Sequence, residues 1–461
     1  MSAADAVLAR LAAVLPDGAV VTDPDRLASY RTDTSTGTPT GTPLAAVLPR
    51  TTEEVAAVLA AAYAHRVPVV PRGAGTGLSG GANAVDGCLV LSLQRMTAVR
   101  EVHEGNGYAR VEPGVVNQEL RDHVRGHGLW YAPDPASKDT CTIGGNVSTN
   151  AGGLCCVKYG VTRDSVLGLE VVLADGRTAR LGRRTVKGVA GYDLTGLVVG
   201  SEGTLAVVTE ATLRLRPLPP PPTTVVATFA DLPSAGRAVE AIMRRTTPAL
   251  LELMDRTCLR AVEAFRPMGL DTTAAALLVA QSDLPGVAGA TEGDLILAEA
   301  LRAGATDGYR SEDAEQADAL LQARRTVIHA LEALGAWLLD DVAVPRSQLA
   351  EAVARVADVA AARDVVIGTF GHAGDGNLHP TIVYPHGDAA AEQRALAAFD
   401  DVLDVALDLG GTVTGEHGVG LLKRRALTAE LDPTAAVVHA AVKAALDPLG
   451  ILNPGKALPV R

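Results

Sequence analysis

The chain of 461 residues is 48% hydrophobic and 20% charged, a composition that describes a globular protein long enough for two or three domains with substantial cores. Its formal net charge of −12 excludes a nucleic-acid partner, because phosphate binding is driven by clustered positive charge and no basic stripe appears. The cysteines, Cys88, Cys141, Cys155, Cys156 and Cys258, form an odd set without a CxxC motif, which excludes a disulfide framework and an iron–sulfur cluster.

The first stretch lacks a basic leader and carries Asp5 and Arg10 inside its apolar pattern, so it reads as an amphipathic helix rather than a signal peptide. No uninterrupted apolar run reaches the roughly eighteen residues of a membrane span. The expected compartment is the cytoplasm, with any membrane association through a partner.

From Ala45 to Gly81 the order is strand, helix, strand and glycine loop. Thr51 and Glu54 form a capping box, and Val55, Val58, Leu59 and Ala62 make a buried stripe. Strands then alternate with turns, with a helix near Asn117 to Arg125, so the first half is α+β rather than regular βαβ. The run from Arg216 to Pro222 cannot continue a helix or a central strand and reads as a stiff linker. Beyond it a second α/β layer domain is expected, with a strand near 224–229, a helix to about Arg244, a strand near 275–280, and a helix capped by Ser347 with Leu349, Val353, Val356 and Ala360 on one face. Near Gly410 the chain leaves this domain, and the last fifty or so residues, patternless until Asn453–Lys456, return to the first. The expected division is 1–220, 221–410 and 411–461.

Gly75, Gly77 and Gly80 satisfy GxGxxG, but a dinucleotide fingerprint needs those glycines to open a helix, and Gly81, Ala82, Asn83 and Gly87 follow instead. What remains is a loop dense in backbone N–H groups, joined by Arg72, Thr76 and Ser79, which suits phosphates. A second small-residue stretch from Pro133 to Gly153 lets two loops approach one extended ligand, such as a dinucleotide.

Late in the chain come GHAGDGNLH (Gly371 to His379) and GTVTGEHG (Gly411 to Gly418). The residues Gly374, Asp375, Gly376 and Asn377 make a helix between His372 and His379 improbable, so strand, tight turn, strand is expected. Such a turn brings both imidazoles toward one point, with Asn377 as a donor to a bound ligand. Imidazole and carboxylate donors suit a first-row divalent ion; Glu416 and His417 read either as a polar pair on a solvated loop or as a further ligand and a general base. In an extended segment the side chains of Glu416 and His417 diverge.

Six segments in order, PRGAGTGLSGG, PDPASKDTCTIGGNVSTNAGG, the stretch from Val186 to Pro217, GHAGDGNLH, GEHGVG and NPGK, resemble the flavin-linked D-2-hydroxyacid dehydrogenases, the family of the glycolate oxidase flavin subunit and of D-lactate dehydrogenases. The resemblance implies a two-part FAD-binding domain of the vanillyl-alcohol-oxidase type with an α/β cap domain. It assigns FAD contacts to Arg72, Gly73, Ala74, Gly75, Thr76, Gly77, Leu78, Ser79, Gly80 and Gly81. Pro133, Asp134, Ser137, Thr142, Gly144, Gly145 and Asn146 are assigned to the isoalloxazine side. The remaining flavin surface falls to Glu202, Gly203 and Val208, with Asn453 and Lys456 from the tail.

It further implies a divalent metal, zinc or manganese, on His372, His379 and Glu416, His417 as base, and Arg324 and Asn377 at the substrate. Arg324, followed at once by Arg325, equally suits an ordinary helix surface. Members acting on D-2-hydroxyglutarate carry a hydroxyl four residues after the cap arginine and a lysine before a DxxxP segment. Here those places hold Ile328 and the residues around Leu339 and Asp340, favouring D-lactate or glycolate. D-2-hydroxyglutarate oxidation is the alternative, followed by a transferase related to alkyl-dihydroxyacetone-phosphate synthase and by a non-enzymatic flavin-binding subunit. The implied partners are the small 2-hydroxyacid, an external electron acceptor (a separate iron–sulfur subunit, an electron-transfer flavoprotein or a quinone) and a second copy in a homodimer.

The glycine loop holds no His or Cys where some relatives attach the flavin covalently, so the FAD is expected to dissociate. Acid precipitation leaves the flavin absorbance in the supernatant; a yellow pellet contradicts this.

Overall fold

The structure is a computed structural model that describes residues 2–311 and 313–458. The chain divides into two compact units. The first comprises residues up to Gly152, Gly160–Leu218 and the chain from Glu416 on; the second comprises Gly153–Tyr159 and Pro219–Gly415. No composition signal announces that the short piece Gly153–Tyr159 belongs with the second unit.

In the first unit, the helix Ala3–Val14 is capped by Ser2, whose hydroxyl accepts from the Asp5 N–H while the Asp5 carboxylate accepts from the Ser2 N–H. Val7 and Leu11 are its buried face. Strands Ala45–Val47 and Val69–Arg72 lie parallel on either side of Leu89–Ser92, with Val20–Val21 at the edge. The intervening helix Thr52–His65 buries Val55, Val58, Leu59 and Ala62 against Val7, Leu11, Leu89 and Leu452. Each Val or Leu side chain so removed from water contributes about 1.5–3 kcal/mol. The expected capping box at this helix is incomplete. Thr51 accepts from the Glu54 N–H, but the Glu54 carboxylate reaches one residue further back, to the Arg50 N–H. No helix opens between Arg72 and Leu89, as the dense glycines require.

A five-stranded antiparallel sheet follows, ordered Val99–His103, Tyr108–Val111, Val207–Arg214, Val166–Val172 and Thr178–Gly182. The helix Asn117–Arg125 lies where its apolar spacing puts it, with Leu120 and Val124 buried. Two sequence expectations need correction. Arg216 and Pro217 are not pure linker: they pair with Leu129–Trp130 as a two-residue edge strand, the position a proline tolerates. The tail is not patternless either, since Arg424–Glu430 and Pro433–Leu446 are helices. The second is started by Asp432 as N-cap and Pro433 in its first turn, yet Val437 and Val438 are exposed and none of its residues is buried, so no apolar stripe marks it.

The second unit is built on an antiparallel sheet of eight strands. Its path runs Ala305–Ser311, Thr223–Phe229, Ala276–Ser282, Leu250–Asp255, Val366–His372, Asn377–Tyr384 and Ala336–Leu339, with Val342–Ala343 also pairing with Asn377–Tyr384. The helix Leu349–Arg363 buries Leu349, Ala352, Val353 and Val356, while Ala360 is half-buried. Ser347 does not cap it. Arg346–Gln348 already forms a 3₁₀ turn set by Pro345, so the chain is helical before Ser347 can adopt the extended backbone an N-cap needs. Among the described residues, no helix is long and apolar enough to cross a membrane.

Asp255 joins two elements of this sheet. One carboxylate oxygen caps the helix Arg256–Phe265 by accepting from the Cys258 N–H at 2.8 Å, and the other accepts from the Thr369 N–H at 2.9 Å. Burial pushes its pKa up to about 6, against the two hydrogen bonds that favour the charged form. A carboxyl raised on folding contributes stability that is fully present below its unfolded pKa and is lost as pH rises through the folded value. Relative to Asp255→Asn, the wild-type protein is therefore expected to lose about 2 to 3 kcal/mol between pH 4.5 and pH 7.5. Chemical denaturation of both proteins across that window measures it, and a constant difference contradicts it.

Candidate functional site

The hairpin of Val366–His372 and Asn377–Tyr384 is the expected strand, turn, strand. Gly376, at φ +77°, permits the turn, and a Cβ there would lie 2.1 Å from the Val344 carbonyl oxygen. His372 pairs with Asn377 and Phe370 with His379, so the two histidines are diagonal neighbours on one face. Their ring centroids are 5.1 Å apart at 84°. Both are buried.

Glu252 lies directly across the sheet from His372. Its Oε1 is 2.8 Å from His372 Nδ1, and its Oε2 accepts from Arg324 Nε at 2.8 Å. The Arg324 guanidinium sits 4.5 Å from the centroid of Phe370, which stands 5.4 Å from the His379 ring. Glu252, His372, His379, Phe370 and Arg324 thus form a closed ring of contacts. Glu252 is 1% exposed and Arg324 7%, so Arg324 is no surface arginine. Burial pushes the Glu252 carboxyl up, but the neighbouring His372 and Arg324 outweigh it and hold it below the usual carboxylate range. When neutral, a His372 that donates from Nδ1 to this carboxylate has Nε2 as its lone-pair nitrogen, the tautomer found at metal-binding histidines.

Asp341 is the second acid that organises this unit. Its Oδ1 accepts from Asn377 Nδ2 at 2.7 Å, and its Oδ2 accepts from the Thr414 hydroxyl at 2.8 Å and the Gly415 N–H at 2.9 Å. Asn377, expected as a donor to a ligand, is bonded within this unit. Its amide N–H groups go to Asp341 and to the Val342 carbonyl at 2.9 Å, so Asn377 holds Asp341 in place. Neither Glu252 nor Asp341 was singled out in the sequence; the available signal was an acid inside the apolar strand LLELMD and the acid pair Asp340–Asp341.

In the first unit, Arg72 ends its strand under the glycine loop. Its Nη2 contacts the Ser29 carbonyl at 3.4 Å, its buried Nη1 has no protein partner among the described residues, and a Cβ on Gly75 (φ +79°) would lie 2.1 Å from Nη2. Gly73 passes so close to Thr142 that a Cβ would fall 2.4 Å from its Oγ1, which is likewise buried without a protein partner. The structure therefore brings the Arg72–Gly77 loop and Thr142 together, leaving a cation and a hydroxyl under a bare backbone, which fits an anionic ligand.

Several other residues expected at the flavin are occupied elsewhere. Ser79 donates to the Gly418 carbonyl at 2.8 Å. Both oxygens of Glu202 accept at 2.8 Å, from the Val419 and Gly420 N–H groups. Burial raises the Glu202 carboxyl, against those two hydrogen bonds and the charge of Lys456. Asn453 donates to the carbonyls of Gly81 and Glu202, and the Lys456 ammonium to those of Gly81 and Asn83. Burial takes the Lys456 pKa down to about 8. These residues bind the tail to the glycine loop. Val208 is buried with Ile143, Val147 and Val171. Gly144 is required by packing, since a Cβ would fall 2.6 Å from Pro113 Cβ. Asn146 accepts from Asn117 and donates to Cys141 Sγ, and the Pro133 carbonyl accepts from Asn117 and Arg121. Glu416 and His417 do not diverge: the chain bends there, and Glu416 Oε1 lies 3.8 Å from His417 Nε2.

Residues 218–457 match the family described as FAD linked oxidases, C-terminal domain, and residues 43–182 match the FAD binding domain. The chain is 43% identical over 414 residues to the glycolate oxidase subunit GlcD of Bacillus subtilis (strain 168), covering 89% of this chain and 88% of that protein. It is 37% identical over 415 residues to a D-lactate dehydrogenase of Archaeoglobus fulgidus, covering 89% and 90%. Among solved structures, substrate-bound p-cresol methylhydroxylase superposes with a TM-score of 0.82 at 18% identity, over 99% of this chain and 96% of that one. A 4-ethylphenol oxidase from Gulosibacter chungangensis does so at 0.82 and 20%, over 99% and 97%. The fold is that of vanillyl-alcohol-oxidase-type flavoproteins, as the sequence motifs implied.

Glu202→Ala leaves two buried backbone N–H groups without an acceptor and is expected to destabilise the protein by about 2 to 5 kcal/mol, while Glu202→Gln, which keeps one acceptor, loses about half of that. Denaturation midpoints of the three proteins test the order, and equal midpoints refute it.

Proposed function

The chain belongs to the FAD-linked oxidases, and from that membership we propose that it oxidises a small D-2-hydroxyacid, D-lactate or glycolate, to the 2-oxoacid with the help of a divalent metal. The observation that carries this reading is the closed ring around Glu252, which sets two imidazoles and an arginine in one buried cluster.

The buried Arg72 Nη1 and the backbone bared at Gly73 and Gly75 fit the pyrophosphate of FAD, held without a covalent link. FAD, when bound, supplies the acceptor for the hydride from the substrate's α-carbon. The donor set of His372, His379 and Glu416 fits zinc or manganese, which would lend Lewis acidity to the substrate oxygen. His417 takes the hydroxyl proton. The Nη groups of Arg324 bind the substrate carboxylate, while Glu252 holds its Nε.

A second substrate carboxylate finds no basic partner at Ile328, and Asp340 and Asp341 are themselves fully buried acids, so a monocarboxylate is favoured over D-2-hydroxyglutarate. The intact histidine and Glu-His motifs favour a dehydrogenase over an alkyl-dihydroxyacetone-phosphate synthase-like transferase. Electrons then pass to an external acceptor. An iron–sulfur subunit, an electron-transfer flavoprotein or a quinone are the candidates, and the relatives described as glycolate oxidase subunits support a protein partner.

Anaerobic addition of D-lactate or glycolate is expected to bleach the flavin, with a higher kcat/KM than D-2-hydroxyglutarate and with the response abolished by a chelator. His417→Ala is expected to lose a factor of about a hundred or more in turnover while retaining FAD. No bleaching by any D-2-hydroxyacid, or near-full turnover in the variant, refutes the corresponding part.

A further inference from the structure

We propose that Glu252 is a positioning residue that couples the metal-binding histidine to the substrate-binding arginine, so that metal and hydroxyacid bind cooperatively through one shared carboxylate. The inference deepens the function proposed above and rests on its metal and on its role for Arg324. The geometry that carries it is a single buried side chain with one oxygen on each partner: Oε1 at 2.8 Å from His372 Nδ1 and Oε2 at 2.8 Å from Arg324 Nε. The sheet register places Glu252 opposite His372, and Asp255, three residues on, ties the same two strands together through the Thr369 N–H, so the carboxylate cannot shift without moving the hairpin.

The coupling has a definite sign. A cation on His372 Nε2 withdraws electron density from the ring, makes Nδ1–H a stronger donor and draws the carboxylate charge toward Oε1. Less of that charge then neutralises Arg324, and the guanidinium attracts the substrate carboxylate more strongly. By linkage, a bound hydroxyacid competes for Arg324 and leaves Glu252 to support His372, which tightens the metal. Phe370 transmits no charge. Its ring lies against Arg324 and His379 and keeps both in place.

Glu252→Gln tests this, because the amide can accept from His372 or face Arg324 but cannot accept from both. The FAD-loaded proteins are stripped with chelator, and zinc affinity is measured by competition with a chromophoric chelator. The expected result is a 10- to 100-fold weaker zinc site in Glu252→Gln, with a normal flavin content and circular dichroism spectrum. Excess zinc is expected to restore kcat but leave KM raised about fivefold or more, a split that general loosening of the fold does not produce. Arg324→Met is expected to change zinc affinity in the wild-type background and not in the Glu252→Gln background. Unchanged zinc affinity in Glu252→Gln, joint recovery of kcat and KM with zinc, or an additive double variant overturns the coupling. Failure of the wild-type protein itself to bind zinc or manganese instead overturns the metal reading on which it rests.

Discussion

One carboxylate, almost without exposure, stands between an arginine and a histidine and organises the second unit. Glu252 sits in the middle of an apolar strand, where an isolated charge is among the costliest things a fold can bury. The arrangement persists because each oxygen meets a cationic or strongly donating partner, and removing one partner of such a set typically costs about 3 to 5 kcal/mol through the charge left behind. The side chains it controls, His372 and Arg324, come from a hairpin end and from the helix Ala314–Glu332. A buried acid shared between two elements fixes their relative position more tightly than apolar contact, because hydrogen bonds weaken steeply with angle and distance.

The first unit solves a different problem by related means. The glycine loop after Arg72 has little side-chain bulk with which to hold itself, and the tail arrives from the far end of the chain. Glu202 answers the buried N–H groups of Val419 and Gly420, while Asn453 and Lys456 answer the carbonyls of Gly81, Asn83 and Glu202. Backbone polar groups in buried turns have to find partners, and here polar and charged side chains far away in sequence supply them. The end of the loop at Gly81 and Asn83 is thereby tied to the tail.

These two networks explain which sequence expectations met the structure and which did not. Apolar periodicity located the helices Thr52–His65 and Leu349–Arg363, because burial of one face decides them. The exposed helix Pro433–Leu446 left no such trace, and only Asp432 and Pro433 hinted at its start. The histidine hairpin was legible from its Gly-Asp-Gly turn, which rules out a helix locally. Roles were less legible than positions: Ser79, Glu202, Asn377, Asn453 and Lys456 were assigned to ligands by motif, and in the structure the Ser79 hydroxyl, the Glu202 carboxylate, the Asn377 and Asn453 amide N–H groups and the Lys456 ammonium bind other parts of the chain.

What the sequence determined by itself was local: the glycine loop that cannot open a helix, the strand–turn–strand carrying His372 and His379, and the ordered motifs that mark an FAD-linked oxidase. Those follow from neighbours along the chain, where turn chemistry and side-chain period act. Only the tertiary structure decided which acids matter, because Glu252 meets His372 across 120 residues and Arg324 across 72, and Asp341 meets Gly415 across 74. Strand register sets those meetings, and register depends on how the whole sheet assembles rather than on any segment of it.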